Sequence, residues 1–232
     1  MSNWREMHGQ VIHDFLQFMN KSAEDFILKG GTALLSCYGL NRFSEDIDLD
    51  GRRKGIGVIV SHFCNQRHYT WRTAKDTDTV QRYFIDYGNA EKPLKIETSY
   101  RRKHIPTSET TRIDGIIVYT IDILCVMKTN AYTSRDKIRD LYDLSFICNR
   151  YWDALSPQTL ALVRSAIEYK GIEQFDYIVR EQRDELIDND KLASAFLKMY
   201  ERLDLLADES QKNILKKHEK NFHKKNKHEM DR

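Results

Sequence analysis

The chain has 232 residues, 41% of them hydrophobic, and a formal net charge of +2, so its length allows one sizeable core, or one core with a small satellite domain. The near-zero net charge excludes a strong overall electrostatic field. No apolar run approaches the roughly eighteen residues that span a bilayer, and residues 1–6 lack the apolar core of a signal peptide, so we expect a cytoplasmic protein with no membrane partner.

The first predicted elements are a helix over residues 4–20 and a strand over Phe26–Leu28. Gly30-Gly31-Thr32 follows after Lys29 and opens a helix that Gly39 would end. A glycine turn at a helix N-terminus gathers backbone N–H groups and lets a phosphate approach the backbone closely. Taken alone, Gly-Gly-Thr is usually only a turn.

Asp46-Ile47-Asp48 places an apolar residue between two carboxylates. On a strand, residues i and i+2 face the same side, so Asp46 and Asp48 would share a site while Ile47 enters the core. Adjacent carboxylates repel unless a cation lies between them, and oxygen ligands suit magnesium. Asp50 lies on the same face, and we interpret it as the end of the strand because Gly51 follows.

An Asp-x-Asp pair alone is most often a solvated strand edge. A phosphate-binding turn followed about fifteen residues later by a metal-binding pair instead predicts chemistry on a nucleoside triphosphate. Between them, Arg42 could contact triphosphate or pair with Asp46 or Glu45, and Ser44 could cap a turn or contact phosphate. The basic loop 51–57 lacks the Gly-Lys-Ser/Thr ending of a P-loop, and we expect a surface turn that helps to attract an anionic substrate.

The middle of the chain predicts a helix and a mixed, largely antiparallel sheet. The helix covers residues 58–66, and the expected strands cover residues 69–74, 79–87, 94–99 and 115–120. Within the third of these strands, Lys95 and Glu97 share a face. Glu97 could join Asp46 and Asp48 as a third carboxylate, or simply pair with Lys95. The basic cluster 101–104 could meet a polyanion or form a solvated loop.

The C-terminal part is predicted to be helical. In the helix over residues 121–132, Lys128 is the only charge at mid-helix, so it either snorkels or binds a buried anion. Asp140 and Asp143 share a face of the next helix, although Arg139 could simply pair with Asp143. Further helical patterns form a bundle with no catalytic-looking cluster, and they cover residues 160–169, 175–186, 191–206 and 210–223. The basic C-terminal run could contact nucleic acid, but we expect a solvated tail.

Five segments in this order resemble the AbiEii-like nucleotidyltransferases, the toxin components of type IV toxin–antitoxin systems within the DNA polymerase β-type superfamily. They are Gly-Gly-Thr-Ala-Leu from Gly30, Arg-x-Ser-x-Asp-Ile-Asp-Leu from Arg42, Lys-Ile-Glu from Lys95, Met127-Lys128, and Arg-Asp-Leu-Tyr-Asp-Leu from Arg139. The first and last are quite specific, whereas Lys-Ile-Glu and Met-Lys are weak alone. The similarity covers roughly residues 25–150.

The resemblance implies an α+β fold, with a nucleotidyltransferase-type mixed sheet flanked by helices and a small C-terminal helical bundle. The implied division is a core over residues 1–120 and a helical domain over residues 121–232. The helix over residues 121–132 and the helix that starts at residue 137 would contribute to the active site.

The resemblance also implies roles for individual residues. Gly30, Gly31 and Thr32 would hold triphosphate with Arg42 and Ser44; Asp46, Asp48 and Glu97 would bind magnesium; Lys95 would complete the nucleotide site. Lys128 would contact nucleotide phosphate, Asp140 would act as an acid/base or positioning residue, and Asp143 would support the helix.

The expected activity is magnesium-dependent transfer of a nucleoside monophosphate from an NTP to RNA, such as the tRNA acceptor end, by a toxin with a possible cognate antitoxin. Two alternatives stay open. The acceptor could be a hydroxyl of a protein or small molecule, or the chain could be a non-catalytic module that binds nucleotide.

The four scattered cysteines contain no Cys-x-x-Cys pair and predict reduced thiols.

Overall fold

The computed structural model describes residues 4–88 and 92–205. The chain divides into two compact units, residues 1–120 and residues 121–232. Among the described residues, the first unit contains a β-sheet and helices and the second contains only helices, which confirms the predicted α+β class. Among the described residues, no helix is both long enough and apolar enough to cross a membrane.

The first unit is built on a seven-stranded sheet with the strand order β3-β4-β5-β2-β1-β7-β6. The strands are β1 Phe26–Lys29, β2 Asp46–Gly51, β3 Thr70–Asp76, β4 Val80–Asp86, β5 Leu94–Ser99, β6 Thr110–Ile113 and β7 Ile116–Tyr119. The central strand β2 runs antiparallel to β1 and parallel to β5. The sheet is mixed and mostly antiparallel, as predicted.

Three α-helices accompany this sheet: α1 Trp4–Ser22, α2 Gly30–Tyr38 and α3 Ile56–Arg67. The apolar stripe of α1 is buried, and Phe15 packs edge-on against Phe63 of α3. Helix α2 begins at the residue that follows β1, and Gly39 ends it in the left-handed conformation, as predicted. The short α2 therefore connects β1 to the segment that precedes β2. A 3-10 helix covers Thr107–Glu109.

Strand β6 was absent from the predicted elements. It has four residues, mostly polar and solvent-facing, at an edge of the sheet, so it shows no apolar alternation. The turn that joins it to β7 did carry a signal, because Asp114 and Gly115 both have positive φ, at 48° and 83°. An Asp-Gly pair with this geometry is typical of a tight hairpin.

The second unit contains α4 Ile121–Ser134, α5 Ile138–Arg150, α6 Pro157–Glu181, α7 Asn189–Arg202 and a 3-10 helix at Trp152–Ala154. Helix α6 starts with a Ser156 cap and kinks at Gly171, which separates the two helices predicted for this region. The prediction that the second of them reaches residue 186 is wrong. The backbone turns at Asp184, whose side chain accepts a hydrogen bond from Leu186 N–H. The helix predicted over residues 210–223 lies outside the described residues.

Candidate active site

Asp46 and Asp48 lie on one face of β2, while Ile47 between them is fully buried. In the parallel pairing with β5, Asp46 is opposite Lys95 and Asp48 is opposite Glu97. In the antiparallel pairing with β1, Asp48 is opposite Lys29. The sheet register therefore brings three carboxylates and two lysines from three strands to one place.

The glycine pair lies directly against this acidic face. Gly30 has φ of +75°, and a Cβ built on it would lie 2.9 Å from Asp48 Oδ2. A Cβ on Gly31 would lie 2.9 Å from both Arg42 Nη2 and Ser44 Oγ. A side chain at either position would force a neighbour to shift, so the start of α2 approaches the carboxylate and its neighbours at backbone distance.

Thr32 ties the start of α2 to the start of β2. Its buried hydroxyl lies 2.9 Å from Ser44 Oγ and donates to the main-chain carbonyl of Asp46. Arg42 is also buried and donates to the carbonyl of Phe43, 3.0 Å away. The Thr32 side chain therefore already has protein partners.

Neither sequence alternative for Lys95 and Glu97 describes the ion pairs fully. Lys95 forms an ion pair with Asp46, and Arg82 of β4 forms one with Glu97 at 2.6 Å. The two residues pair with neighbouring strands because cross-strand neighbours are closer than side chains two residues apart on one strand. Arg82 was absent from the sequence-based site, and the available signal was a basic residue next to apolar Tyr83 within the predicted strand over residues 79–87.

The electrostatics of Asp48 reflect this crowding. Desolvation by burial raises its pKa, the carboxylates of Asp46 and Glu97 raise it further, and Lys95 and Lys29 oppose the shift. Ionised Asp48 is therefore under-compensated by the protein's own cations. A bound cation would favour the charged form.

Asp50 shares the parity of Asp46 and Asp48 but has a different environment. It lies inside β2, since the strand continues to Gly51, and it is 2% exposed. Lys29 Nζ lies 2.5 Å from Asp50 Oδ1, and the Tyr119 hydroxyl donates to Oδ2 at 2.8 Å. With both oxygens in use, Asp50 is a satisfied buried group.

In the second unit, Lys128 binds buried anions, which is one of the two alternatives that the sequence left open for it. Its Nζ lies 2.6 Å from Asp143 Oδ2 and 3.3 Å from Asp140 Oδ1. Arg135 also binds both oxygens of Asp140, at 2.7 and 3.2 Å. Arg139 pairs with Asp184. Lys128, Asp140 and Asp143 form one buried cluster between α4 and α5.

The basic segments are more engaged than expected for solvated loops. Arg53 pairs with Asp25 at 2.7 Å and Lys54 with Asp78 at 3.4 Å. In the cluster 101–104, Arg102 pairs with Glu109 at 2.6 Å and lies over the ring of Tyr119. These partners reduce the positive charge that either segment offers to a polyanion.

No ready metal site of three or more His, Cys, Asp or Glu side chains occurs within residues 4–88 and 92–205. The carboxylates of Asp46 and Asp48 form a smaller set made only of oxygen donors. Such a set fits magnesium, which usually takes one or two carboxylates and fills its other positions with water and substrate phosphate. The donor chemistry and the under-compensated charge at Asp48 both fit a divalent cation.

A mixed sheet that presents an Asp-x-Asp pair to a glycine turn is the arrangement that the sequence predicts for a nucleotidyltransferase, and two solved structures share this fold. JHP933 from Helicobacter pylori has a TM-score of 0.72 and 26% sequence identity over 99% of both chains. A second H. pylori protein, provisionally classed as a nucleotidyltransferase, has a TM-score of 0.68 and 26% identity over 90% of this chain and all of its own. Among curated proteins, none is similar enough to count as a match.

The family model described as nucleotidyl transferase AbiEii toxin, type IV TA system, matches residues 17–217. The chain therefore belongs to the AbiEii toxin family of nucleotidyltransferases, as the sequence motifs indicated. It is an enzyme of the nucleotidyltransferase class with a role in a toxin–antitoxin system.

Proposed function

We propose that the protein transfers a nucleoside monophosphate from an NTP to an RNA hydroxyl in a magnesium-dependent reaction. One observation carries the proposal: the Asp48 carboxylate lies so close to the Gly30 backbone that a Cβ on Gly30 would be 2.9 Å from Asp48 Oδ2. A position for a divalent cation and a backbone that can approach phosphate are thereby adjacent.

Asp46 and Asp48 are the proposed magnesium ligands, and Glu97 is available as a third through the oxygen that Arg82 does not bind. The bound ion would neutralise triphosphate charge and the charge that develops on the attacking and leaving oxygens. Lys95, which neutralises Asp46 in the protein alone, would become available to the triphosphate.

The chain's own groups would orient the nucleotide. Backbone N–H groups at Gly30, Gly31 and Thr32 would bind phosphate at the positive end of α2. Arg42 and Ser44 lie against Gly31 and would contact the same phosphates. Such positioning and charge stabilisation supply most of the acceleration in phosphoryl transfer.

In the proposed step, the acceptor hydroxyl oxygen bonds to the α-phosphorus as the bond to the bridging oxygen breaks. Pyrophosphate leaves, and a carboxylate of the cluster takes the hydroxyl proton. Lys128 stays our proposed phosphate contact, although Asp140 and Asp143 already neutralise it. Because both oxygens of Asp140 accept from cations, we assign it to positioning Lys128 rather than to proton transfer.

The RNA acceptor is supported by the resemblance to AbiEii-like enzymes, some of which modify tRNA acceptor ends. A cognate antitoxin is supported by the type IV toxin–antitoxin description of the family. The test is incubation with each α-labelled NTP and total RNA, with magnesium or with EDTA. We expect labelled RNA from one or a few of the NTPs, and only with the metal.

The other outcomes separate the alternatives. Label on protein alone, with RNA unlabelled, would replace the RNA acceptor by a protein hydroxyl. Nucleotide binding by calorimetry that is indifferent to magnesium, with no transfer, would identify a non-catalytic nucleotide-binding module.

A further inference from the structure

The sheet face that bears the carboxylates continues outward to the edge strand β3. Directly paired residues on neighbouring strands project from the same face of a sheet, so the register identifies two rows. One row contains Asp46, Lys95, Phe84 and Arg72 in order from β2 to β3. The other contains Asp48, Glu97, Arg82 and Lys75. Both rows begin at a proposed metal ligand and end at a cation, about 14 Å away at the usual strand spacing.

An irregularity in β3 places the second of these cations. The pairing passes from Thr73 opposite Tyr83 to Lys75 opposite Arg82, so Ala74 is an extra residue in β3. In regular alternation, Lys75 would project from the face opposite Arg72. The bulge turns it to the same face, and bulges with this effect are frequent beside active sites.

The outer ends of both rows are exposed and positively charged, and the row that ends at Arg72 also offers a flat surface. The Arg72 guanidinium lies over the Phe84 ring, 4.3 Å from its centroid. Arg72 and Lys75 are exposed, and neither forms an ion pair with any residue in the described part of the chain. Asp86 is the acid of β4 on this face, and it lies beyond Phe84 on the side away from Lys75.

We propose that these four residues of β3 and β4, Arg72, Lys75, Arg82 and Phe84, form a track for the single-stranded end of the RNA acceptor. Arg72 and Lys75 would bind phosphates, and the Arg72–Phe84 stack would hold a base. The proposal rests on the proposed function, since it explains how an RNA end reaches Asp46 and Asp48.

Charge and shape favour a single strand over the other occupants of an open sheet face. Proteins that bind single strands combine cations along the backbone path with aromatic groups and arginine planes on which bases stack. An edge strand carries charges merely to prevent edge-to-edge pairing in many proteins. Prevention of pairing would not require both cations to lie on the same face as an aromatic ring. Here the bulge places Lys75 on the face that Arg72 shares with Phe84.

The test measures the affinity of the full-length protein for a fluorescein-labelled single-stranded 12-mer RNA by anisotropy across a salt series. We expect the double variant Arg72→Ala/Lys75→Ala to bind at least about tenfold more weakly. Because each phosphate contact to a single strand contributes roughly 0.7 to the slope of log K against log salt, the slope should become shallower by about 1.4.

Two further variants separate stacking from charge. Phe84→Leu should weaken binding by about tenfold with an unchanged salt slope, since stacking on one aromatic ring is lost without loss of charge. Arg72→Lys should also keep the slope while it loses the stacked guanidinium. Arg112→Ala is the matched control, because Arg112 is an exposed arginine on β6, the opposite edge strand of the same sheet. It should bind RNA like the wild type.

Binding and label transfer together distinguish failure of the track from failure of the proposed function. If wild-type protein labels RNA and the double variant binds and labels it equally well, the track is wrong and the transferase proposal stands. If the wild type does not bind the 12-mer, the track is also wrong. If RNA binding follows the predicted order but no NTP supports transfer, the track is supported and the proposed reaction is not.

Discussion

Each unit of the molecule contains a cluster of acids and bases, and the two clusters differ in openness and in charge balance. In the first unit, Asp46 pairs with Lys95 and Glu97 pairs with Arg82, and the Asp46 side chain is 43% exposed. Lys29 also lies near Asp48, but its ion pair is with Asp50. In the second, Asp140 and Asp143 face Lys128 and Arg135, and both carboxylates are at most 2% exposed.

This difference indicates what each cluster can do. The open cluster has an excess of negative charge that water and a divalent cation can reach, which suits ion binding. The closed cluster is neutral within itself, and removing one member would leave a buried charge without its partner. A motif of charged residues can therefore indicate either chemistry or structural support, and burial with charge balance distinguishes the two.

The largest effect should come from the open cluster. Asp48→Asn should lower nucleotide transfer by at least about 100-fold, the scale on which losing one electrostatic contact at a transition state slows an enzyme. Its thermal stability should be unchanged or raised, because a crowded carboxylate has been removed. Label transfer and a melting curve are the two measurements.

Asp78→Asn is the control for Asp48→Asn, since Asp78 is a fully exposed aspartate in the β3–β4 turn. It should transfer label like the wild type. Full activity in Asp48→Asn would remove the basis for treating the first cluster as the catalytic one.

The closed cluster should respond in stability. Lys128→Met leaves Asp143 and Asp140 without their shared cation, and breaking a buried pair in this way costs about 3–5 kcal/mol. Chemical denaturation measures it, with Lys191→Met as the control because Lys191 forms an exposed pair on α7. Weaker nucleotide binding by this variant would support Lys128 as the proposed phosphate contact, whereas stability like that of the wild type would contradict its support of the cluster.

The glycine pair beside the open cluster should show an intermediate effect. Gly30→Ala forces a left-handed conformation on alanine and places a methyl group 2.9 Å from Asp48 Oδ2, so we expect a loss of about 1–2 kcal/mol in unfolding free energy and weaker NTP binding. Gly31→Ala lacks the positive φ and should cost less stability, while its methyl group displaces Arg42 or Ser44.

Gly9→Ala is the matched control for the glycine variants. A Cβ at Gly9 would meet its nearest neighbour at an ordinary 3.7 Å, and alanine favours the helix by about 1 kcal/mol. It should therefore be neutral or stabilising. NTP binding by Gly30→Ala equal to that of Gly9→Ala would contradict a phosphate site at this turn.

The smallest effect concerns the reactivity of the cysteine thiols. Cysteines lie in both units, so their reactivity compares how well each interior is protected. Burial raises the pKa of Cys64 to about 11 and that of Cys37 to about 12. The pKa of Cys125 is raised first by its hydrogen bond with Cys148 and then by burial. Since the thiolate is the reactive form, a raised pKa keeps these groups protonated and inert at pH 8.

Alkylation followed by mass spectrometry should find all four cysteines largely unmodified at pH 8 in the folded protein. All four should react once denaturant is added. As pH rises, Cys37 should react before Cys125 and Cys148, because it alone of these three is partly exposed. Rapid labelling of Cys125 at pH 8 would show that the second unit opens more readily than its burial indicates.

Apart from β6, the order of strands and α-helices through α5 followed from local patterns, and the failures have physical causes. Apolar periodicity and glycine punctuation reflect local burial, so α1, β5 and the end of α2 at Gly39 were predictable. Strand β6 escaped because a short polar edge strand buries nothing. The end of α6 depends on contacts of Asp184 with Arg139 and Leu186, which no local pattern reveals.

The sequence by itself determined the family and the α+β class, through its motifs and predicted elements. It also placed Asp46 and Asp48 together, because spacing along a strand fixes which side chains share a face. Only the tertiary structure decided how those residues are partnered: Lys95 with Asp46, Arg82 with Glu97, Lys29 with Asp50 and Lys128 with Asp143. The reason is that strand order, register and the bulge at Ala74 are set by packing between distant segments. Periodicity within one segment carries no information about which strand will lie beside it.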